Sequence, residues 1–279
     1  MRKKSTLWIG IAVAALLAVG GYWYWQKSTI ALPAPVAAPV AIAPPVVAPT
    51  PEPAIRYPLE PGAEADRSAL PPPDQVDAYV SAALIKLLGQ KFVLTFLQTD
   101  AFARRVVVTV DNLAREHAAP RLWPVNPTGG RLAVSGPAGA PILDSSNDAR
   151  DLPFVRLVES VNPAEAVALY TRLYPLFQRA YEELGYPGRY FNDRLVEVID
   201  HLLTTPVVAG PVRLRFTEVK GPIKSSSPWL HYDYADASLE AASAGRKILL
   251  RVGTDNRARL KVKLVELRRL LTARGAPQK

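Results

Sequence analysis

Nineteen consecutive residues without a charge, at positions 7–25 (LWIGIAVAALLAVGGYWYW), constrain this 279-residue chain more than any other feature. At about 1.5 Å per residue such a helix spans about 28 Å, close to the hydrocarbon thickness of a bilayer. The run ends in Tyr22-Trp23-Tyr24-Trp25, rings that favour the membrane–water interface. Arg2, Lys3 and Lys4 precede it and Lys27 follows. That bias predicts a cytoplasmic N-terminus with the rest of the chain across the membrane. The competing reading is a removable signal, with Ala18-Val19-Gly20 supplying small residues for cleavage. The length of the run and the bulky aromatics directly after it favour an anchor that is kept, over residues 1–27.

Residues 28–73 read as a Pro/Ala-rich linker, with 13 prolines between Ala31 and Gln75. Proline fixes φ and removes backbone donors, so neither helix nor sheet persists there. An extended polyproline conformation rises about 3.1 Å per residue and gives a reach of about 140 Å. The stretch is either a reach device or a passive spacer. Residues 74–275 remain as one mostly helical domain with a core of its own.

Composition narrows the chemistry. There is no cysteine, which excludes disulfides, thiolate metal sites and cysteine nucleophiles. The three histidines are His117, His201 and His231. Net charge is +9, and residues 246–279 alone hold eleven Lys/Arg against Asp255 and Glu266. The charge therefore belongs to the C-terminal segment.

Apolar spacing predicts helices in the domain after an Asp74 cap to Gly89, over 100–115, where the β-branched Val106-Val107-Val108 leave a strand as the alternative, and over 153–161. Another begins at Asn162-Pro163-Ala164-Glu165, a cap followed by proline at the first helical position, and is expected to kink at Pro175. A further helix covers 192–204 and places Leu195, Val198, Ile199 and Leu202 on one face. Residues 116–152 read as an irregular excursion with a short strand at 131–135. Alternation in 212–217 and 230–234 predicts an antiparallel hairpin closed by a loop at 218–228. Asp236 is expected to cap a helix running to 252. Thr254 caps the last helix, with Leu260, Leu264, Leu267 and Leu271 on one face. The fold class is mainly α with a small antiparallel β element.

Asp193, Glu197, Asp200 and His201 are spaced so that Glu197 and His201 share a helix face, which Asp193 extends. They read either as a divalent-metal or acid–base site or, more simply, as a solvated helix face with Asn192 or Asp193 as its cap. Asp111-Asn112 lies in apolar surroundings. A buried acid there needs donors, for which Arg194 or Arg189 are candidates. It is a structural network in the first reading and a ligand-binding carboxylate in the second. The turn from Gly185 to Asn192 carries Tyr186, Tyr190 and Phe191. Exposed, these rings stack on sugars of peptidoglycan or grip a partner; buried, they fix an inter-helix angle.

The chain lacks G-x-S-x-G, P-loop, G-x-G-x-x-G and H-E-x-x-H patterns. Neither a cofactor nor a metal is expected. Arg257, Arg259, Lys261, Lys263, Arg268 and Arg269 flank the last leucine stripe. They make contact with an anionic lipid surface or acidic partner an expectation to set beside simple solvation. Nucleic acid suits the charge but not the compartment.

Three stretches carry a resemblance: VVVTVDNLAR at 106–115, LYPLFQRAYEELGYPGRYFNDRLVEVIDHLLTTP at 173–206, and YADASLEAASAGRKILLRVG at 234–253. Over roughly residues 74–272 the chain resembles a proteobacterial family known as domain of unknown function 3014. That family has no assigned activity to carry over. The resemblance implies an anchored protein of a Gram-negative inner membrane with its globular domain in the periplasm. The expected function is a non-enzymatic binding or scaffold module for an envelope protein or peptidoglycan. The alternative is a periplasmic hydrolase using the carboxylates near 193–201.

Overall fold

The computed structural model describes residues 54–59, 70–137, 139–217 and 231–273. The expected anchor at 7–25, most of the expected linker and the loop 218–228 lie outside the described residues.

Helix α1 (Val76–Leu88) follows Pro71-Pro72-Pro73 through a 3-10 turn at Pro73–Gln75. Asp74, expected as the cap, lies inside that turn, and the cap position falls to Gln75, which makes no side-chain cap bond. Pro73 supplies a preset φ that starts the turn ahead of the α-helix. Gly89, at φ 86°, ends α1. The chain turns 116° there into a short helix that the periodicity did not predict, α2 (Gln90–Phe96). Among the described residues no single helix is long and apolar enough to cross a membrane. The bent pair α1–α2 is apolar enough by composition, and it buries Val80, Leu84 and Val93 in the main core.

Residues 100–115 form helix α3 (Phe102–Leu113) despite three successive valines. Val107 and Asp111, one turn apart, are both buried. The excursion that follows holds two antiparallel strands, β1 (Val134–Ser135) and β2 (Ile142–Leu143). Buried Asn147 fastens it by accepting from Ala133 N and donating to the carbonyls of Ala133 and Asp144. Helix α4 (Ser146–Ser160) starts well before the expected 153 and runs through Pro153. Proline inside a helix costs a backbone bond, yet Pro153 falls in the interior here and the helix continues through it. The actual start is fixed by Asp144 Oδ1, which accepts from Ser146 N at 2.8 Å.

Helix α5 (Pro163–Glu183) begins as expected, with Asn162 Oδ1 accepting from Ala164 N at 2.9 Å, and it carries Pro175 internally. Helix α6 (Phe191–Leu203) follows the Tyr186-Pro187-Gly188 turn. Strands β3 (Leu214–Phe216) and β4 (Tyr232–Tyr234) pair antiparallel with Leu214 opposite Tyr234, as the alternation predicted. The single helix expected after Asp236 is two: α7 (Ala237–Glu240), capped by Asp236, and α8 (Ala244–Arg251), capped anew by Ser243. The last helix is α9 (Thr254–Ala273).

The main core joins α1, α2, α3, α5 and the start of α6 through Val80, Val93, Val107, Leu173, Phe177 and Phe191. Leu271 of α9 closes a second cluster with Val167, Val196 and Ile199. Leu249 of α8 packs on Val198 and Leu202 of α6, while Leu250 joins Leu214 and Tyr234 beneath the hairpin. Helix α6 therefore carries apolar residues toward both α8 and α9, and its N-terminal turn is left to meet α3 and α5.

Two glycines mark where elements meet too closely for a side chain. A Cβ on Gly253, at φ 91°, lies 1.7 Å from Asp148 Oδ1, and one on Gly245 lies 2.9 Å from the Leu113 carbonyl oxygen. We expect Gly253→Ala to lower unfolding free energy by about 2–4 kcal/mol, from strain and overpacking together. Gly139→Ala, which meets nothing within 4 Å, should be near neutral. Chemical denaturation of both variants checks this.

Candidate functional site

The first turn of α6 owes its geometry to α5. Its N-terminal amides lack helical partners, and Tyr190 at the cap position offers no side-chain bond. Gln178 of α5 substitutes: its Oε1 accepts from Phe191 N at 2.9 Å and from the Tyr174 hydroxyl at 2.8 Å. The Tyr174 oxygen in turn accepts from Asn192 N at 3.3 Å. Burial pushes the Tyr174 phenol well above its ordinary pKa, more than its hydrogen bonds to the two amides pull it down.

With its own amides met from α5, α6 has Asp193 available for another segment. Asp193 Oδ2 accepts from Arg56 N at 2.9 Å and Oδ1 from Tyr57 N at 2.8 Å. Fully buried Asn192 donates to Tyr57 O at 2.9 Å, and the Tyr190 hydroxyl accepts from Leu59 N at 2.8 Å. Residues 54–59, read from sequence as linker, are thus a strap laid along α6. The compact unit to which they belong starts at Glu52. Neither Asn192 nor Asp193 is the cap expected of it.

Asp111, buried on α3, is the second fixed point. Arg194 Nε donates to its Oδ1 at 3.0 Å and Arg194 Nη2 to its carbonyl at 3.2 Å. Arg115 Nη2 donates to Oδ2 at 2.7 Å, and the Tyr186 hydroxyl also donates to Oδ2 at 3.1 Å. Arg115 further donates to the Tyr186 oxygen. Burial disfavours the charge on Arg194, but the carboxylates of Glu197 and Asp111 outweigh it and raise its pKa. Of the donors expected for Asp111, Arg194 serves. Arg189 instead sits 6.0 Å from the centre of the Tyr186 ring. Asn112 contributes its carbonyl, which accepts from Arg115 N at 2.9 Å.

Between these fixed points lies a cleft of about 600 Å³. It gathers Asp111, Tyr186, Arg189, Tyr190, Asp193, Arg194 and Glu197 from the sequence-selected residues, and adds Arg56, Arg115 and Tyr181. Tyr181 and Tyr186 stack at 4.6 Å between centroids, and Arg194 Nη1 reaches Glu197 Oε1 at 3.0 Å. Phe191 lies under the cleft in the core, against Phe177 and Tyr181.

Asp200 and His201 face elsewhere. Arg268 of α9 pairs with Asp200 through both carboxylate oxygens. His201 Nε2 lies 2.8 Å from Ser243 Oγ in a second cavity of about 480 Å³. The acids and histidine read as one helix face therefore serve four separate attachments. Among the described residues no group of three metal-ligating side chains converges.

Most cations of the last helix are engaged within the domain. Arg259 pairs with Glu159, Lys261 donates to Thr205 O, and Lys263 to Val161 O. Arg257 is buried. The guanidinium of Arg269 has no hydrogen bond or ion pair among the described residues.

Arg56 was missed by the sequence reading although a signal existed. Ile55-Arg56-Tyr57 interrupts a Pro/Ala/Val background with a charge and a ring. Ser243 was missed because nothing local marks a break inside an apparently continuous helical pattern.

The molecule is thus a mainly helical domain with an arginine- and tyrosine-lined cleft. The chain belongs to the family described as protein of unknown function (DUF3014), whose model matches residues 102–268. The match begins later than the resemblance drawn from sequence and covers every cleft residue named here except Arg56. No curated protein and no solved structure matches the chain.

Removing the Asp111 carboxylate leaves Arg194, at the core edge, with Glu197 as its remaining carboxylate partner. We expect Asp111→Ala to cost about 2–3 kcal/mol in urea denaturation. That is less than the ~3–5 typical of wholly buried pairs, because Arg115 is half exposed. Burial, then the positive charges of Arg246 and Arg194, hold the His201 pKa below its ordinary value, with Glu197 opposing. The unfolded chain therefore takes up this proton at a higher pH than the folded one, and stability falls as pH drops below about 6.5. His201→Gln should flatten that part of the Tm–pH profile between pH 7 and 5. An unchanged slope would contradict it.

Proposed function

We propose that this protein is a single-pass protein of the bacterial inner membrane whose periplasmic domain binds a component of the cell envelope in the α3–α6 cleft. One observation carries the reading. Arginines, tyrosines and carboxylates converge in a cavity of about 600 Å³, and each acid there already accepts from donors of the domain itself. Asp111 is held by two arginines and a tyrosine, Asp193 by two strap amides, and Glu197 by Arg194. A carboxylate-dependent hydrolase needs an acid free to move a proton in reach of substrate, and the engaged state of these acids favours recognition over hydrolysis.

The envelope location rests on the 7–25 run, its aromatic end and the basic residues before it. The ligand is a protein or peptidoglycan element, since tyrosine faces and arginine forks suit peptide and glycan groups alike. Contact between α9 and an anionic surface draws less support, because most cations of that helix are engaged at home. The compartment argues against nucleic acid.

A photo-crosslinking amino acid placed at Glu197 in intact cells tests the reading. Val262, exposed on α9, is the control position. Expected is a discrete adduct from position 197, sedimenting with membranes, and none from position 262. Equal yields at both positions, or none at 197, would remove the cleft as the binding site.

A further inference from the structure

The cleft has more donors than acceptors. Each guanidinium carries five N–H groups, and a carboxylate has about four lone-pair sites to receive them. Four arginines line the space against Asp111, Asp193 and Glu197. Arg194 is spent on Asp111 and Glu197. Arg115 spends Nη2 alone on Asp111 and Tyr186. Arg56 and Arg189 have no carboxylate partner among the described residues. Each is instead near a tyrosine ring, 5.9 Å from the centre of Tyr57 and 6.0 Å from that of Tyr186. The carboxylates are already met, so a ligand that pairs these guanidiniums must bring its own acceptor oxygens.

We propose that the cleft is an oxyanion-recognition site for a small polyanion bearing carboxylate or phosphate groups, and that the strap completes it by delivering Arg56. A planar guanidinium fork matches the two oxygens of either group. Arg189 projects from the α5–α6 turn and Arg115 from just beyond the end of α3, so two arginines come from the helical body. Arg56 comes from a segment outside the 102–268 family match. Its placement depends on Asp193, which receives the amides of Arg56 and Tyr57. Asp193 is therefore a positioning residue: it is consumed by the strap and presents the neighbouring guanidinium to the cavity. This inference deepens the proposed function and rests on the same cleft.

The test uses the full chain in detergent, titrated calorimetrically with sodium citrate and with sodium pyrophosphate at ionic strength held constant by sodium chloride. Saturable binding of at least one probe is expected. Arg56→Ala and Arg189→Ala should each weaken it by about tenfold or more, the loss of one charged hydrogen-bonding group, without lowering the ligand-free Tm. Asp193→Asn should weaken it too, while Arg269→Ala should leave it unchanged. Binding of citrate alone assigns a carboxylate source, and of pyrophosphate alone a phosphate source. No saturable binding of either probe, or binding that Arg56→Ala and Arg189→Ala leave intact, overturns the proposal. If position 197 still crosslinks while neither anion binds, the oxyanion assignment falls and the binding-module reading stands. Anion binding without crosslinking at that position gives the reverse.

Discussion

A carboxylate buried on α3 decides how the middle of this domain is assembled. Asp111 gives up hydration and recovers it from three different places: Arg115 just past the end of its own helix, Tyr186 in the α5–α6 turn, and Arg194 on α6. A buried charge without such donors is costly, and a fully paired one restricts which arrangements are tolerated. Any packing of α6 that moves Arg194 away from α3 strips Asp111 Oδ1 of its charged donor and leaves Arg194 with Glu197 alone. The apolar residues of α6 supply contact area, but they do not by themselves fix which turn of α6 stands opposite Asp111.

The same division of labour recurs around the fold. Hydrophobic stripes bring helices together, and single buried polar groups set their positions. Asn256, near the start of α9, donates to the Asp148 and Val252 carbonyls and holds α9 against the start of α4. Asp200 and Arg268 join α6 to α9 farther along. The Tyr234 hydroxyl, whose pKa burial pushes up to about 12, stays protonated and donates to Lys247 O at 2.9 Å beneath the hairpin. Much of the positive charge in the C-terminal segment is explained by such attachments.

Legibility in the sequence follows the range of the interaction. Asn162-Pro163 and Asp236 cap helices through amides two or three residues away, so local pattern was enough to find them. The alternation in 212–217 and 230–234 likewise foretold the antiparallel pairing of β3 with β4. What escaped depends on distant partners. The early start of α4 joins a local bond, Asp144 to Ser146 N, to a longer tie from Asn147 to Ala133 across the excursion, and only the longer one is invisible to local pattern. The break before α8 places Ser243 beside His201, 42 residues away in sequence. Asp193 looked like a cap or a surface acid because its partners sit 136 and 137 positions upstream. Asp111, Arg189, Tyr190, Asp193, Arg194 and Glu197 were singled out individually, but nothing in their spacing showed that they enclose one cavity and that Asp200 and His201 do not.

The strap has a mechanical consequence. Traction applied N-terminal to residue 54 enters the domain through residues 54–59, whose attachments to α6 are the paired amides on Asp193, the Tyr57 carbonyl on Asn192 and the Leu59 amide on Tyr190. Those bonds, together with Tyr57 packed on the cluster of Val167, Val196, Ile199 and Leu271 and with buried Leu59, are where such a load first meets the domain. Losing these attachments takes the Arg56 guanidinium out of the cavity, so what the cleft can hold depends on one short segment that precedes α1.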